Sequence, residues 1–291
     1  MPALEGLRVI DMATVFAGPG AARHLADFGA DVIKIEAPAG DGVRRMGWFP
    51  PEGGDSYTWK ILGRNKRAVV LDLKTDAGRD TLLRLADGAD VLVENFRPGT
   101  LERLGIGPDV LRARNPRLVV LRVTGFGQDG PYASRPGFAT MAEAMSGFAA
   151  INGEPDGAPL LPPIALTDEV TAIAGAFAVM VALRERDRSG LGQVIDVKRL
   201  ESMLQMMSAL PSAAALLAGG RRDFGADVCE PAVAVFTAAG RDRKVLVLEL
   251  LGHRAPTAVA HDDVIHAPHR RDFRRRARQE ALVGRIQHLA G

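Results

Sequence analysis

Short apolar runs rich in β-branched residues alternate with helix-length stretches as far as Leu217, and no other feature constrains the fold so strongly. The run LRVIDM at Leu7 to Met12 leads into a helical stretch from Gly18 to Phe28, with Gly18-Pro19-Gly20 punctuating the junction. Strand-like runs recur at Asp31–Ile35, Ala68–Leu71, Val91–Val93, Leu118–Val123 and Gln193–Val197. Helices are predicted at Thr75–Asp87, Phe138–Ala149, Asp168–Arg186 and Leu200–Leu217. Alternation of this kind predicts parallel strands, because each crossover helix returns the chain to the same end of the sheet. VVL at Val69–Leu71 and LVVLRV at Leu118–Val123 read as near-continuous apolar runs, the pattern of strands buried on both faces. The expected architecture is α/β, a Rossmann-like open parallel sheet with helices on both faces. A large domain over residues 1–218 is expected to precede a partial or atypical second domain over 219–291.

With 37 basic and 35 acidic side chains in 291 residues, the net charge of +2 points to neither nucleic acid nor an anionic membrane as main partner. The lone cysteine, Cys229, excludes an internal disulfide and any multi-cysteine metal site, which fits a reducing cytoplasm. The first residues lack the basic start and apolar run of a signal peptide, so a cytoplasmic chain is expected. No membrane span is expected either, since Arg184 and Glu185 close the longest apolar stretch.

The segment after the first strand, Thr14 to Gly20, lacks the G-x-G-x-x-G spacing of a dinucleotide site, which disfavours NAD and FAD. It still lies where open α/β sheets bind ligands, at the carboxyl end of a parallel strand. Four cations, Arg64, Lys66, Arg67 and Lys74, flank the strand around Val69, as a phosphate-rich ligand requires and as an ordinary solvated surface also shows. Asn95 and Phe96 close another strand, with Arg97 and Arg103 around the next helix; an amide, an aromatic face and arginines suit an adenine ring and its phosphates.

Taken together, GLRVIDM, FAGPGAARHLADFGADVIKIEAP, GRNKRAVVLDLKT, DVLVENFRPGTLERLG and SGLGQVIDV resemble the class III CoA-transferase family, in the family's order, over about Leu4 to Leu217. The resemblance implies a Rossmann-like large domain, a smaller second domain and two interlocked copies of the chain. It implies a reaction that moves coenzyme A from an acyl-CoA donor to a carboxylic acid, with CoA as substrate and neither metal nor redox cofactor. The family's nucleophile is an aspartate that follows a Gly/Pro-rich loop and opens the helix before the G-x-G-Q segment, and Asp168 holds that position. From local sequence alone, Asp168 reads first as a helix N-cap, and only the set of motifs favours the nucleophile. The implied CoA cradle comprises Val15, Phe16, Ala17, Lys74, Asn95, Phe96 and Arg103. Where some members carry a basic residue after KIE this chain has Ala37, and Arg44 or Arg45 is expected to compensate.

Two other functions compete. Acyl-CoA racemases of the same superfamily show Gly-His-Asp where this chain has Gly137-Phe138-Ala139, so the histidine base is missing. The second is an inactive CoA-binding homologue. After Gly219 the texture changes to arginine clusters and five of the six histidines, with no metal-ligand spacing and no nucleic-acid motif. An out-of-frame reading of a GC-rich gene gives such a texture, and a tail of that origin is expected to pack poorly and to leave activity weak or absent. The donor and acceptor acids are left open.

Overall fold

The computed structural model describes residues 1–152, residues 158–208 and a short strand at Thr237–Ala239. The chain divides into two units, Met1–Leu251 and Gly252–Gly291, and every described residue belongs to the first. The expectations for the tail after Gly219, its histidines and Cys229 fall outside the described residues, as do the end of the helix foreseen to Leu217 and part of the Gly/Pro-rich loop ahead of Asp168.

Six strands, β1 (Arg8–Asp11), β2 (Asp31–Glu36), β3 (Lys66–Val70), β4 (Val91–Glu94), β5 (Val119–Thr124) and β6 (Val194–Lys198), run parallel, and β7 (Thr237–Ala239) pairs antiparallel with β6. The order is β3-β2-β1-β4-β5-β6-β7. The order therefore reverses direction between β1 and β4, whose register pairs Val9 with Val91 and Asp11 with Val93. At such a switch point the two flanking loops leave in opposite directions and open a crevice at the strands' carboxyl ends.

Successive residues of each strand feed opposite layers of core. Val9, Val32, Val91, Val93, Val119, Leu121 and Ile195 face α1 (Ala17–Asp27) and α8 (Leu166–Ser189). Ile10, Met12, Ile35, Leu92 and Val120 face the side of α3 (Asp76–Asp87), α4 (Thr100–Arg103) and α5 (Pro108–Arg114), through Leu82, Leu101 and Leu111. β5 is buried at every residue, as its apolar run requires. β3 is parallel but corrects the expectation that Val69–Leu71 is buried on both faces: as an edge strand it leaves Val69 40% and Val70 63% exposed.

Local differences have simple causes. The helix expected over Phe138–Ala149 is two, α6 (Ala139–Met145) and α7 (Phe148–Ile151), divided by Gly147 at φ +85°. Gly18-Pro19-Gly20 lies at the start of α1, where a proline costs no hydrogen bond because a main-chain N–H at position 19 would have no intrahelical acceptor; the first such bond runs from the Gly20 amide to the Phe16 carbonyl. The glycines serve close packing. A Cβ on Gly18 would come 2.3 Å from that of Ala13, and one on Gly20 would come 2.8 Å from that of Ala172 in α8. Against the expectation that no stretch is long and apolar enough to span a membrane, α8, at 24 residues, is so by length and composition. Its first turn carries Asp168 and Glu169, and its Thr171, Ala172, Gly175, Ala178 and Val179 are buried, which is how a core helix is placed. The other α-helices among the described residues are α2 (Tyr57–Leu62) and α9 (Arg199–Met206).

Candidate active site

The crevice at the β1–β4 switch point is a cleft of about 170 Å³ walled by the strand-end loops of β1 (Thr14, Val15), β4 (Asn95, Arg97, Pro98) and β5 (Thr124, Gly125, Phe126). Arg135, Phe138 and Ala139 close one side, and Asp168 and Arg199 line it as well. The sequence separates Val15, Asn95 and Asp168 widely; the parallel sheet brings them to one opening because all three follow or face strand carboxyl ends.

The β1 loop rests on a buried charge network. Asp11 is fully buried and accepts from Lys66 Nζ at 2.8 Å and from the Ala13 amide at 3.1 Å. Lys66 also donates to the Pro19 carbonyl at 2.6 Å; Lys34, equally buried, donates to the Ala13 carbonyl and lies 3.3 Å from Asp41. Burial pushes the Lys66 ammonium below the usual lysine value, with Asp11 opposing the shift. Among these groups stands Val15 at φ +67°, a left-handed conformation that a β-branched residue adopts only when its surroundings impose it. The β4 loop is similarly founded: buried Glu94 accepts from the Phe96 amide at 2.8 Å and from Arg122 Nε at 2.6 Å. Burial raises the Glu94 pKa above the ordinary carboxylate range, with Arg122 opposing the rise. Asn95 then bonds both main-chain groups of Thr14, so the two loops are tied across the switch point.

Asp168 is the third residue of α8 and does not cap it. Ala165 occupies the cap position and offers no side-chain acceptor. The acceptor comes from α6, where buried Glu143 takes the Thr167 hydroxyl at 3.0 Å and the Thr167 amide at 3.4 Å. Thus relieved of capping, the Asp168 carboxylate turns to Arg199 at the start of α9, with Nε donating to Oδ1 at 2.7 Å. A carboxylate in the first turn of a long helix is also favoured by the partial positive charge of that terminus.

The other expected residues are distributed unevenly. Phe16 precedes α1 and is half-buried, Ala17 is its first residue and fully buried, and Phe96 packs partly into the core beside α4. Lys74, exposed in the turn before α3, and Arg103, exposed in α4, make no ion pair among the described residues. The other three cations around β3 are spoken for: Arg64 by Asp27, Lys66 by Asp11 and Arg67 by Asp31. Arg44 does not line the cleft. Its Nε and Nη2 donate to Glu36 at 2.8 and 2.6 Å, Nη1 donates to Asp55 at 2.7 Å, and the guanidinium lies 3.8 Å from the Trp59 ring centre. Arg45 reaches only the Ala39 carbonyl, at 3.2 Å. The racemase alternative would put a histidine base at Phe138, a cleft residue here; His24, the one histidine among the described residues, lies by Glu169 instead.

Sequence reasoning left out Arg135, Arg199 and the Thr124–Phe126 loop. The last could have been found, because it follows the carboxyl end of β5 as Thr14 follows that of β1. Arg199, 31 residues beyond Asp168, carries no local signal.

Comparison with known proteins accords with this geometry. A succinyl-CoA–L-malate CoA-transferase β subunit of Chloroflexus aurantiacus is 49% identical over 209 residues, covering 71% of this chain and 51% of that protein. A succinate–glutarate CoA-transferase of Agrobacterium fabrum is 44% identical over 207 residues, covering 69% and 52%. A CaiB/BaiF family crystal structure from Brucella suis superposes with a TM-score of 0.71 at 36% identity, over 75% of this chain and 58% of that one. The chain spans about half the length of the curated relatives it matches. The profile of CoA-transferase family III matches residues 4–289, further than the Leu4–Leu217 span on which the motifs were read, and the chain belongs to that family.

Proposed function

We infer that the chain carries the site of a CoA-transferase in which Asp168 is the nucleophile, an acyl-CoA the donor and a carboxylic acid the acceptor. The observation that carries this reading is the placement of an uncapping, first-turn carboxylate on the cleft at the β1–β4 switch point. Asp168 oxygen attacks the thioester carbon, the C–S bond breaks, and CoA leaves as thiolate with a mixed anhydride on the protein. The thiolate then attacks the aspartyl Cγ, expelling the donor acid and leaving an aspartyl-CoA thioester. The acceptor carboxylate displaces CoA to form a second anhydride, and the thiolate takes the acceptor acyl group, restoring the Asp168 carboxylate. No electron changes hands, and every proton count balances with anions alone.

The acceptor we favour is a dicarboxylate. Arg97, Arg135 and Arg199 line the cleft against the single acid Asp168, so cations remain for a second carboxylate, and relatives are named for succinyl-CoA with malate and for succinate with glutarate. The interlocked pair of chains and the cytoplasmic location belong to the same proposal; the exposed Ile173, Phe177 and Met180 on α8 offer an apolar face to a second copy.

The test is hydroxylamine trapping followed by peptide mass spectrometry of the full chain mixed with succinyl-CoA. A hydroxamate at Asp168, absent in Asp168→Ala together with transfer, is the expected result. Undiminished transfer by Asp168→Ala would remove the mechanism, CoA binding without transfer would favour the inactive homologue, and α-proton exchange with deuterated water without transfer would favour the racemase.

A further inference from the structure

The two oxygens of Asp168 have different surroundings. Oδ1 accepts from Arg199 Nε at 2.7 Å, and Oδ2 has no hydrogen-bond partner among the described residues. Both residues line the cleft, yet each is only 8% exposed, so the contact is shielded from water on most sides. The pairing is through Nε alone, where a guanidinium fork often takes both oxygens of a carboxylate.

We propose that Arg199 is a second catalytic residue, the oxyanion donor for the reactions that take place at the carbonyl carbon of Asp168 itself. The inference rests on the reading of Asp168 as nucleophile. With Oδ1 held, Oδ2 is the oxygen that attacks the donor thioester, and it becomes the bridging atom of the mixed anhydride. Oδ1 is then the carbonyl oxygen of the aspartyl group. When CoA thiolate attacks Cγ, the C=O π pair moves onto Oδ1, and the negative charge develops on the atom that Nε already addresses. Collapse of that tetrahedral species expels the donor carboxylate and restores the carbonyl. The acceptor's attack on the aspartyl-CoA thioester repeats the same charge on the same oxygen, with CoA thiolate leaving. A donor 2.7 Å from the site of the developing charge, in a partly water-excluded cleft, has the geometry that stabilises an oxyanion.

The first step differs. Attack of Oδ2 on the donor puts the oxyanion on the donor's oxygen, not on Oδ1, so loss of Arg199 slows the steps at Cγ more than formation of the anhydride. The experiment compares the full chain with its Arg199→Gln and Arg199→Lys variants in two assays, steady-state transfer from succinyl-CoA and the protein-dependent release of CoA thiol from succinyl-CoA alone, captured by a thiol reagent so that it cannot return to Cγ. Expected for Arg199→Gln is a fall in kcat of about 100-fold or more, with KM for succinyl-CoA little changed and the release of CoA thiol from succinyl-CoA alone little diminished, since that release reports anhydride formation and not attack at Cγ. Arg199→Lys, which keeps the charge, recovers part of kcat, and a thermal melt within a few degrees of the parent shows that each variant is folded. Unchanged kcat in the folded Gln variant would overturn the proposal. So would a parallel loss of kcat and CoA thiol release, which marks an arginine needed only to position the carboxylate. Failure of the nucleophile reading is separate and visible in the parent chain, as transfer without any hydroxamate at Asp168.

Discussion

Asn95 and Thr14 are joined by a reciprocal pair of hydrogen bonds: the Thr14 amide donates to Asn95 Oδ1 at 2.8 Å, and Asn95 Nδ2 donates to the Thr14 carbonyl at 2.6 Å. One side-chain amide thereby continues the β1–β4 pairing one step past the last strand residues, at the point where the sheet order reverses. The pair sets the width of the cleft mouth, because Thr14 and Val15 are held from one side and Arg97 and Pro98 from the other.

Replacing Asn95 by Ala removes both bonds and leaves the Thr14 main chain to water. We expect KM for acyl-CoA to rise by about 10-fold, equivalent to about 1.4 kcal/mol, with kcat falling less. Global stability should change by no more than about 1 kcal/mol, since the site is half-exposed. Initial-rate kinetics and urea unfolding measure the two.

The network under the β1 loop gives a sharper effect. Lys66→Met leaves Asp11, which is 0% exposed, without its nearest cation, and breaking a buried pair costs about 3–5 kcal/mol. In the double variant Asp11→Asn with Lys66→Met most of that loss should return, because no uncompensated charge stays behind. Urea unfolding midpoints of the single and double variants decide this, and equal destabilisation in both would contradict it.

Close approach of α1 to α8 depends on Gly20. Its substitution by Val places a Cβ 2.8 Å from the Ala172 Cβ and should destabilise by about 1–3 kcal/mol through forced separation of the helices. Combining it with Ala172→Gly should recover part of the loss, as read from thermal melts.

The Glu36–Arg44 pair predicts a pH signature. Hydrogen bonds from Arg44 hold the Glu36 carboxyl below its ordinary value of 4.5, against the opposing effect of burial. A depressed folded-state pKa means that the folded chain favours the ionised acid. The pair therefore stabilises above the unfolded value, and that contribution is lost as pH falls through the folded one. The stability gap between the parent chain and Arg44→Met should be full near neutrality and should shrink steadily below about pH 4.5. Denaturant titrations across that range test the sign.

Periodicity and composition determined that this chain builds a parallel sheet, because runs such as Val91–Val93 and Leu118–Leu121 are apolar on both strand faces. The ordered motifs further determined the family and singled out Asp168. They did not determine which valines are covered: Val69 and Val120 look alike in sequence, and only strand order makes one an edge residue and the other core. Nor did they separate Arg44 from Arg199. Both are arginines near a candidate site, but Glu36, Asp55 and Trp59 engage the first, while the packing of α9 beside α8 delivers the second to Asp168. Charge and aromaticity are written in the chain locally. Partnership depends on which residues distant in sequence the sheet brings within hydrogen-bond reach, and that was decided by the tertiary structure.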